Sequence, residues 1–218
     1  MDIFETIKNR RSVRVFQDRP VEKELIEKLI EAAAQAPSNC NVQGWRFIVI
    51  DNQETKNKIV ENGGSILIKK APAGILAVYD NRTRNLEYKD YIQSAAAAMQ
   101  NIFLSATALG LGCCWLNHLP TQRMLRKMFE IPNYFSPIGF LMIGYPKHIP
   151  LPVARKYHLG QIVSYNTFGK NMAIEKINPF KLFTIRMMIK IYYFIPRFIK
   201  NGFLNKFIDR NFVKKFEN

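Results

Sequence analysis

Between Val21 and Ala36 the apolar residues Leu25, Ile26, Leu29, Ile30 and Ala33 recur at helical spacing with charged residues between them, which predicts the clearest amphipathic helix of the chain. Pro37 and the polar run Ser38-Asn39-Cys40-Asn41 end it. Trp45-Arg46-Phe47-Ile48-Val49-Ile50 then reads as a strand, and a further helical stretch starts at about Gln53. Pro72 opens the unbroken apolar run Ala73 to Tyr79, the pattern of a strand covered on both faces. From Asp90 to Leu109 a long helical segment carries the small-residue run Ser94-Ala95-Ala96-Ala97-Ala98, which allows close packing in a core or between subunits, and stops at Gly110. Beyond it come the short apolar segment Cys113-Cys114-Trp115-Leu116, a basic helix from Thr121 to Phe129 capped by Thr121, and another central strand, Ile138 to Gly144, closed by Tyr145-Pro146. Strands separated by helices around one long central helix indicate a mixed α/β sandwich.

The chain has 218 residues, 48% of them hydrophobic and 22% charged, enough for one well-buried domain with an appendage. Met1-Asp2-Ile3-Phe4-Glu5 lacks the basic start and apolar run of a secretory signal, so a cytoplasmic location is expected. Cys40, Cys113 and Cys114 make a poor disulfide framework and lack zinc-ligand spacing, and no metal site is expected. The net charge of +15 raises the question of nucleic acid. Its distribution answers part of it: residues 170–218 hold 11 Lys/Arg and 3 Asp/Glu, a net of +8.

Chemistry concentrates in Arg10-Arg11-Ser12-Val13-Arg14. If that stretch runs extended, Arg10, Ser12 and Arg14 share one side while Arg11, Val13 and Val15 take the other. Guanidinium forks beside a hydroxyl suit a phosphate or the polar edge of a cofactor ring, although a solvated basic turn has the same composition. Gly110-Leu111-Gly112 has Trp115 where a dinucleotide fingerprint needs its third glycine, and there is no Walker loop. His118, His148 and His158 are scattered and form no triad with a nucleophile.

Four fragments in order, Arg10-Arg11-Ser12-Val13-Arg14, Ala36-Pro37-Ser38-x-x-Asn41-x-Gln43-x-Trp45, Gly110-Leu111-Gly112-x-Cys114-Trp115 and Ile143-Gly144-Tyr145-Pro146, resemble the nitroreductase family of FMN-dependent oxidoreductases over residues 3 to about 168. The resemblance implies an α+β fold, a three-layer α/β/α sandwich with a mixed central sheet, working as a homodimer with FMN at the subunit interface and NADH or NADPH as co-substrate. It further implies that Arg10 and Ser12 hold the FMN phosphate, Arg11 contributes mainly backbone, and Arg14 reaches the pyrimidine edge of the ring. Pro37, Ser38 and Asn41 match the segment supplied by the partner subunit. Trp115, Leu116 and Asn117 match the stretch lining the ring, and either Arg155 or Lys156 matches a further phosphate cation. The flavin carries the hydride, so no catalytic side chain is required; His118 is the nearby proton-donor candidate. Gly44 departs from the family, which commonly has proline there. The short span between Tyr79 and Asp90 has no room for a long lid, and Glu87, Tyr88 and Lys89 are either substrate contacts or a solvated loop. The implied activity is NAD(P)H-linked ping-pong reduction of a small electron-poor acceptor such as a nitroaromatic, quinone or enone. The rival is a non-catalytic flavin-fold partner protein held at a membrane by its tail.

That tail divides the chain into a core, residues 1–169, and a basic, apolar extension, residues 170–218. At helical spacing Arg186, Lys190, Arg197 and Lys200 fall within about 80° of one another. Three readings are open for residues 174–216: wrapping the partner subunit, as the family resemblance implies, lying on a membrane surface, or binding nucleic acid, for which no recognised motif accompanies the charge. No uninterrupted apolar run approaches the ~20 residues needed to span a bilayer.

Overall fold

A computed structural model describes residues 2–82, 87–170, 172–174 and 177–195. The chain forms two compact units, one running to Pro150 and a second beginning at Leu151. In the first, α1 (Ile3–Asn9) starts where the Asp2 carboxylate accepts from the amides of Phe4 and Glu5. α2 (Lys23–Ala34) begins two residues later than its apolar pattern, after Glu22, whose carboxylate makes no cap and is held by Arg19 and Tyr145. β1 (Trp45–Ile50), α3 (Gln53–Glu61) and β2 (Ala73–Asp80) follow, then α4 (Asp90–Ala108), β3 (Gly112–Leu116), α5 (Gln122–Met128) and β4 (Phe135–Gly144). Asn52 caps α3 and Thr121 caps α5, each through a side-chain oxygen.

The sheet order is β1-β2-β4-β3, so β1 and β3 are its two edges. All pairings among these strands are antiparallel; the parallel element of the sheet is the bridge between Ser12 and Cys113. β4 starts three residues before the apolar run that predicts it and passes through Pro137, which has no amide proton for the ladder. The register with β2 shifts beside it, between Ala77 and Val78.

Helices cover both faces, giving three layers. On one face Leu29 and Ala33 of α2 and Ala98, Met99, Ile102 and Ala106 of α4 pack on Ile75, Leu141 and Ile143. Ser94 and Ala95 are buried with them, so the small-residue run serves intrachain packing. On the other face Ile59 of α3, Leu67, Ile68 and Leu125 of α5 pack on Leu76, Phe140 and Met142. Lys56 is buried at this layer's rim, where its ammonium donates to the carbonyls of Ala71 and Pro72 at 2.9 and 3.1 Å. Burial lowers its pKa, with Asp51 opposing.

The second unit opens with an exposed irregular stretch in which the Ala173 amide meets the Gln161 carbonyl at 2.9 Å. It contains α6 (Pro179–Phe194), begun by an Asn178 cap and by proline at the first turn.

Gly74 carries the Phe140 ring over the sheet: a Cβ at Gly74 would collide with that ring. Overpacking of this kind costs about 1–3 kcal/mol, so Gly74→Ala should lower the unfolding free energy by that amount in a denaturant titration with an unchanged slope.

Candidate active site

Residues Arg10 to Phe16 lie along the outer edge of β3. Ser12 makes the parallel bridge to Cys113, and the Val13 amide donates to the Cys113 carbonyl at 2.9 Å. Val13 is buried over Gly112, where a Cβ would sit 2.8 Å from the valine Cβ. The segment pairs with the sheet through the isolated bridges at Ser12 and Phe16 and is no regular strand, so the alternating pattern is not kept: Arg10 acts on Cys113 in one core layer and Arg14 on Cys114 in the other, and the two guanidiniums do not share a face. The Arg10 guanidinium stands 4.8 Å from the Phe103 ring centroid on α4. Arg14 donates to the Ser12 carbonyl at 3.2 Å, which folds the two residues together. Arg11 turns back instead: its Nη1 donates to the carbonyls of Lys8 and Arg10, capping α1, while its Nε is buried without a hydrogen-bond partner.

Burial pushes the Cys113 thiol well up, with Cys114 adding and Arg10 opposing; burial also raises Cys114, with Arg14 opposing. Both cysteines are therefore protonated packing groups at neutral pH. The two belong to opposite core layers, so the charges of Arg10 and Arg14 are felt on different faces of the sheet.

A clip at the far end of this segment has no motif in the sequence. Phe16 bridges Pro146, the Gln17 amide donates to the Tyr145 carbonyl, and the Lys147 amide donates to the Val15 carbonyl. The Tyr145 hydroxyl donates to Glu22 at 2.5 Å, Arg19 pairs with the other Glu22 oxygen at 2.7 Å, and the Arg19 guanidinium lies 3.9 Å from the Tyr145 ring centroid.

Pro37, Ser38 and Asn41 form a tight turn before β1. Cys40, Asn41 and Gln43 all have positive φ (49°, 55° and 47°), a cluster of left-handed non-glycine residues held by specific hydrogen bonds. The Gln43 amide donates to Ser38 Oγ at 3.0 Å and its side chain to Asn41 Oδ1 at 2.7 Å. Asn39 ties the turn to the start of α4, its amide donating to Ser94 Oγ and its side chain to Asp90. The turn and α4 border an open cavity of about 590 Å³ lined by Pro37, Ser38, Tyr88, Asp90, Gln93 and Ser94. Of the loop residues flagged in the sequence, Tyr88 reaches this cavity. Asp90, Gln93 and Ser94 carry no motif and are found only by the fold. Gly44 also finds its reason here. A Cβ would stand 2.7 Å from Cε1 of Tyr79, whose ring packs edge-on against Trp45, so any larger residue, proline included, would displace that pair.

Trp115 and Leu116 end β3, and the indole donates to Asn117 Oδ1 at 3.0 Å. Gly139 on β4 makes room for this pair, since a Cβ there would lie 2.6 Å from the indole nitrogen. His118 is half-buried and its carbonyl accepts from the Ser65 amide at 2.9 Å. Arg155 and Lys156 are exposed in the second unit, with the Lys156 ammonium 5.2 Å from the Tyr157 ring centroid. Among the described residues no His/Cys/Asp/Glu group is placed to hold a metal.

The structure does not bring the first two fragments together within one chain. Arg10–Arg14 borders β3 and Ser38–Asn41 precedes β1, at opposite edges of the sheet. Their contacts on α4, Phe103 and Ser94, are nine residues apart, about 14 Å along the helix axis.

Comparison with known proteins gives this arrangement a class. The family model described as "Nitroreductase family" matches residues 7–70 and 61–145. A Methanothermobacter thermautotrophicus protein named "Putative NADH dehydrogenase/NAD(P)H nitroreductase" is 37% identical over 154 residues, covering 69% of this chain and 80% of its own. A nitroreductase family protein from Clostridium difficile superposes with a TM-score of 0.68 at 34% identity, covering 77% of this chain and 100% of the other. An FMN-dependent nitroreductase from a second strain of that species gives 0.66 at 29%, covering 76% and 99%. The chain belongs to the nitroreductase family.

The Tyr145 hydroxyl, the Glu22 backbone and Arg19 hold the Glu22 carboxyl down to about 2. Because the folded value is depressed, the clip contributes stability above the ordinary carboxylate range and loses it as pH falls from about 4.5 toward 2. An NMR titration should find Glu22 near 2 in the parent chain and raised in Tyr145→Phe; equal values would mean the hydroxyl does not hold the carboxylate.

Proposed function

We propose that the chain is an FMN-dependent NAD(P)H oxidoreductase whose site is assembled by two copies, and that it reduces small electron-poor acceptors such as nitroaromatics, quinones and enones. The observation that carries the two-copy reading is the separation of Arg10–Arg14 from Ser38–Asn41 across the sheet. In a two-fold dimer whose interface includes both edges, the β3 edge of each copy lies against the β1 edge of the other, and each site takes one fragment from each chain.

The donor set fits FMN. Arg10 and Ser12 offer a fork and a hydroxyl to the phosphate. Arg14, tethered to the Ser12 carbonyl, presents a fixed positive charge to the pyrimidine edge of the ring, where electron density rises on reduction. Arg11 serves through its backbone, its side chain being spent on α1. Trp115, Leu116 and Asn117 line the ring, the indole held in orientation by Asn117. Pro37, Ser38 and Asn41 of the second copy close the other side. FMN, when bound, supplies the hydride chemistry for which no side chain here is suited.

Absence of a separate Gly-x-Gly-x-x-Gly fingerprint accords with a ping-pong cycle in which NAD(P)H and acceptor use one site in turn. The cavity of about 590 Å³ at the partner-supplied turn is of a size for a small molecule. Asp90 and Tyr88 at its wall favour an acceptor with a hydrogen-bond donor or partial positive charge on that side.

The purified chain should be yellow, and Arg14→Glu should weaken FMN binding at least ~10-fold, measured by fluorescence titration of released flavin, because a charge-assisted contact worth roughly 1.5–3 kcal/mol becomes a repulsion. Anaerobic stopped-flow mixing with NADH or NADPH should bleach the bound flavin. A colourless protein that FMN does not restore would overturn the assignment, and bound flavin that neither nucleotide bleaches would favour a binding module.

A further inference from the structure

We propose that α6 docks flat on a lipid surface bearing anionic headgroups, its apolar side chains at the boundary of headgroups and acyl chains and Arg186 and Lys190 among the headgroups. Phe180, Phe183, Met188 and Phe194 are each at least 60% exposed, and Ile185, Met187, Ile189 and Ile191 are exposed as well. So much exposed apolar surface on one helix needs a covering medium. Arg186 and Lys190, one turn apart, flank a groove of about 360 Å³ with Phe183, Met187 and Ile189.

Charge decides what covers it. From Lys176 to Ile208 the sequence has seven Lys/Arg and no Asp/Glu, and half of the chain's 16 phenylalanines lie in 170–218. A second copy is positive in its first 169 residues, at +7, as well as in the tail, at +8, so packing the tail on either is opposed by charge. Nucleic acid would satisfy the cations and stack on the rings, yet it offers nothing to Ile185, Met187, Met188, Ile189 and Ile191. An anionic bilayer surface serves both groups at once, with the long cationic side chains extending from the apolar level to the headgroups. The 16 residues of α6 span about 24 Å, short of the ~30 Å hydrocarbon core, and no helix among the described residues is long and apolar enough to cross a membrane.

The test uses the full chain with sedimented vesicles of phosphatidylcholine, with and without phosphatidylglycerol. The protein should pellet with the phosphatidylglycerol vesicles and stay in solution with phosphatidylcholine alone. Arg186→Glu with Lys190→Glu should weaken pelleting at least ~10-fold while the melting temperature is unchanged. Raising salt at the moment of mixing should weaken binding of the unaltered chain, a readout that does not depend on the variant's folding. Failure to pellet, equal pelleting on both vesicles, indifference to salt and charge reversal, or tighter binding to single-stranded RNA than to the anionic vesicles would each overturn the proposal.

Discussion

At the edge strand β3 the chain's own Arg10–Phe16 segment adds a parallel bridge, Ser12 to Cys113, with the Val13 amide on the Cys113 carbonyl. Much else depends on that pairing. It sinks Val13 over Gly112 and sets Arg10 beside the Phe103 ring. The same backbone bonds that complete the sheet therefore set the spacing of two guanidiniums and a hydroxyl. The Tyr145–Glu22–Arg19 clip secures the far end, so the cations are carried by a segment tied down at both ends.

The second fragment is held by a different device. Three left-handed residues make the turn before β1, and hydrogen bonds from Gln43 and Asn39 hold it against Ser38 and the first turns of α4. Such a backbone is costly and persists because its neighbours determine it. Gly44 belongs to the same arrangement, giving way to the Tyr79 ring. The turn thus presents polar groups at the edge of the sheet farthest from Arg10–Arg14. A fold that builds two half-sites at opposite edges is suited to self-complementary association.

Much of the fold was legible because the long elements have strong periods: α2 from Leu25, Ile26, Leu29 and Ala33, β2 from its unbroken apolar run, α4 up to Gly110. β4 starts before the apolar run that predicts it, because the register shift that absorbs Pro137 is a tertiary event. The fragments Arg10–Arg14, Ser38–Asn41 and Trp115–Asn117 were visible as motifs, since their chemistry is local. Their separation is implied by the family resemblance and not by any local pattern, because strand order is nonlocal. The Glu22–Tyr145 clip spans more than a hundred residues and consists of ordinary surface side chains, and Asp90, Gln93 and Ser94 enter the cavity wall only through the packing of the turn on α4. Arg197 and Lys200, half of the basic stripe read in the tail, lie outside the described residues.

The central claim is that each site takes its two halves from different chains, and subunit complementation tests it most directly. Arg14→Glu disables one half and Ser38→Tyr the other, so each variant alone should bind little FMN. Mixed at equal amounts and allowed to exchange, half of the dimers are hybrids with one intact site each, and flavin binding should return to about a quarter of the parent's capacity. No recovery, with hybrids verified by mass spectrometry, would contradict the account, because it would place Arg14 and Ser38 in the site of one chain.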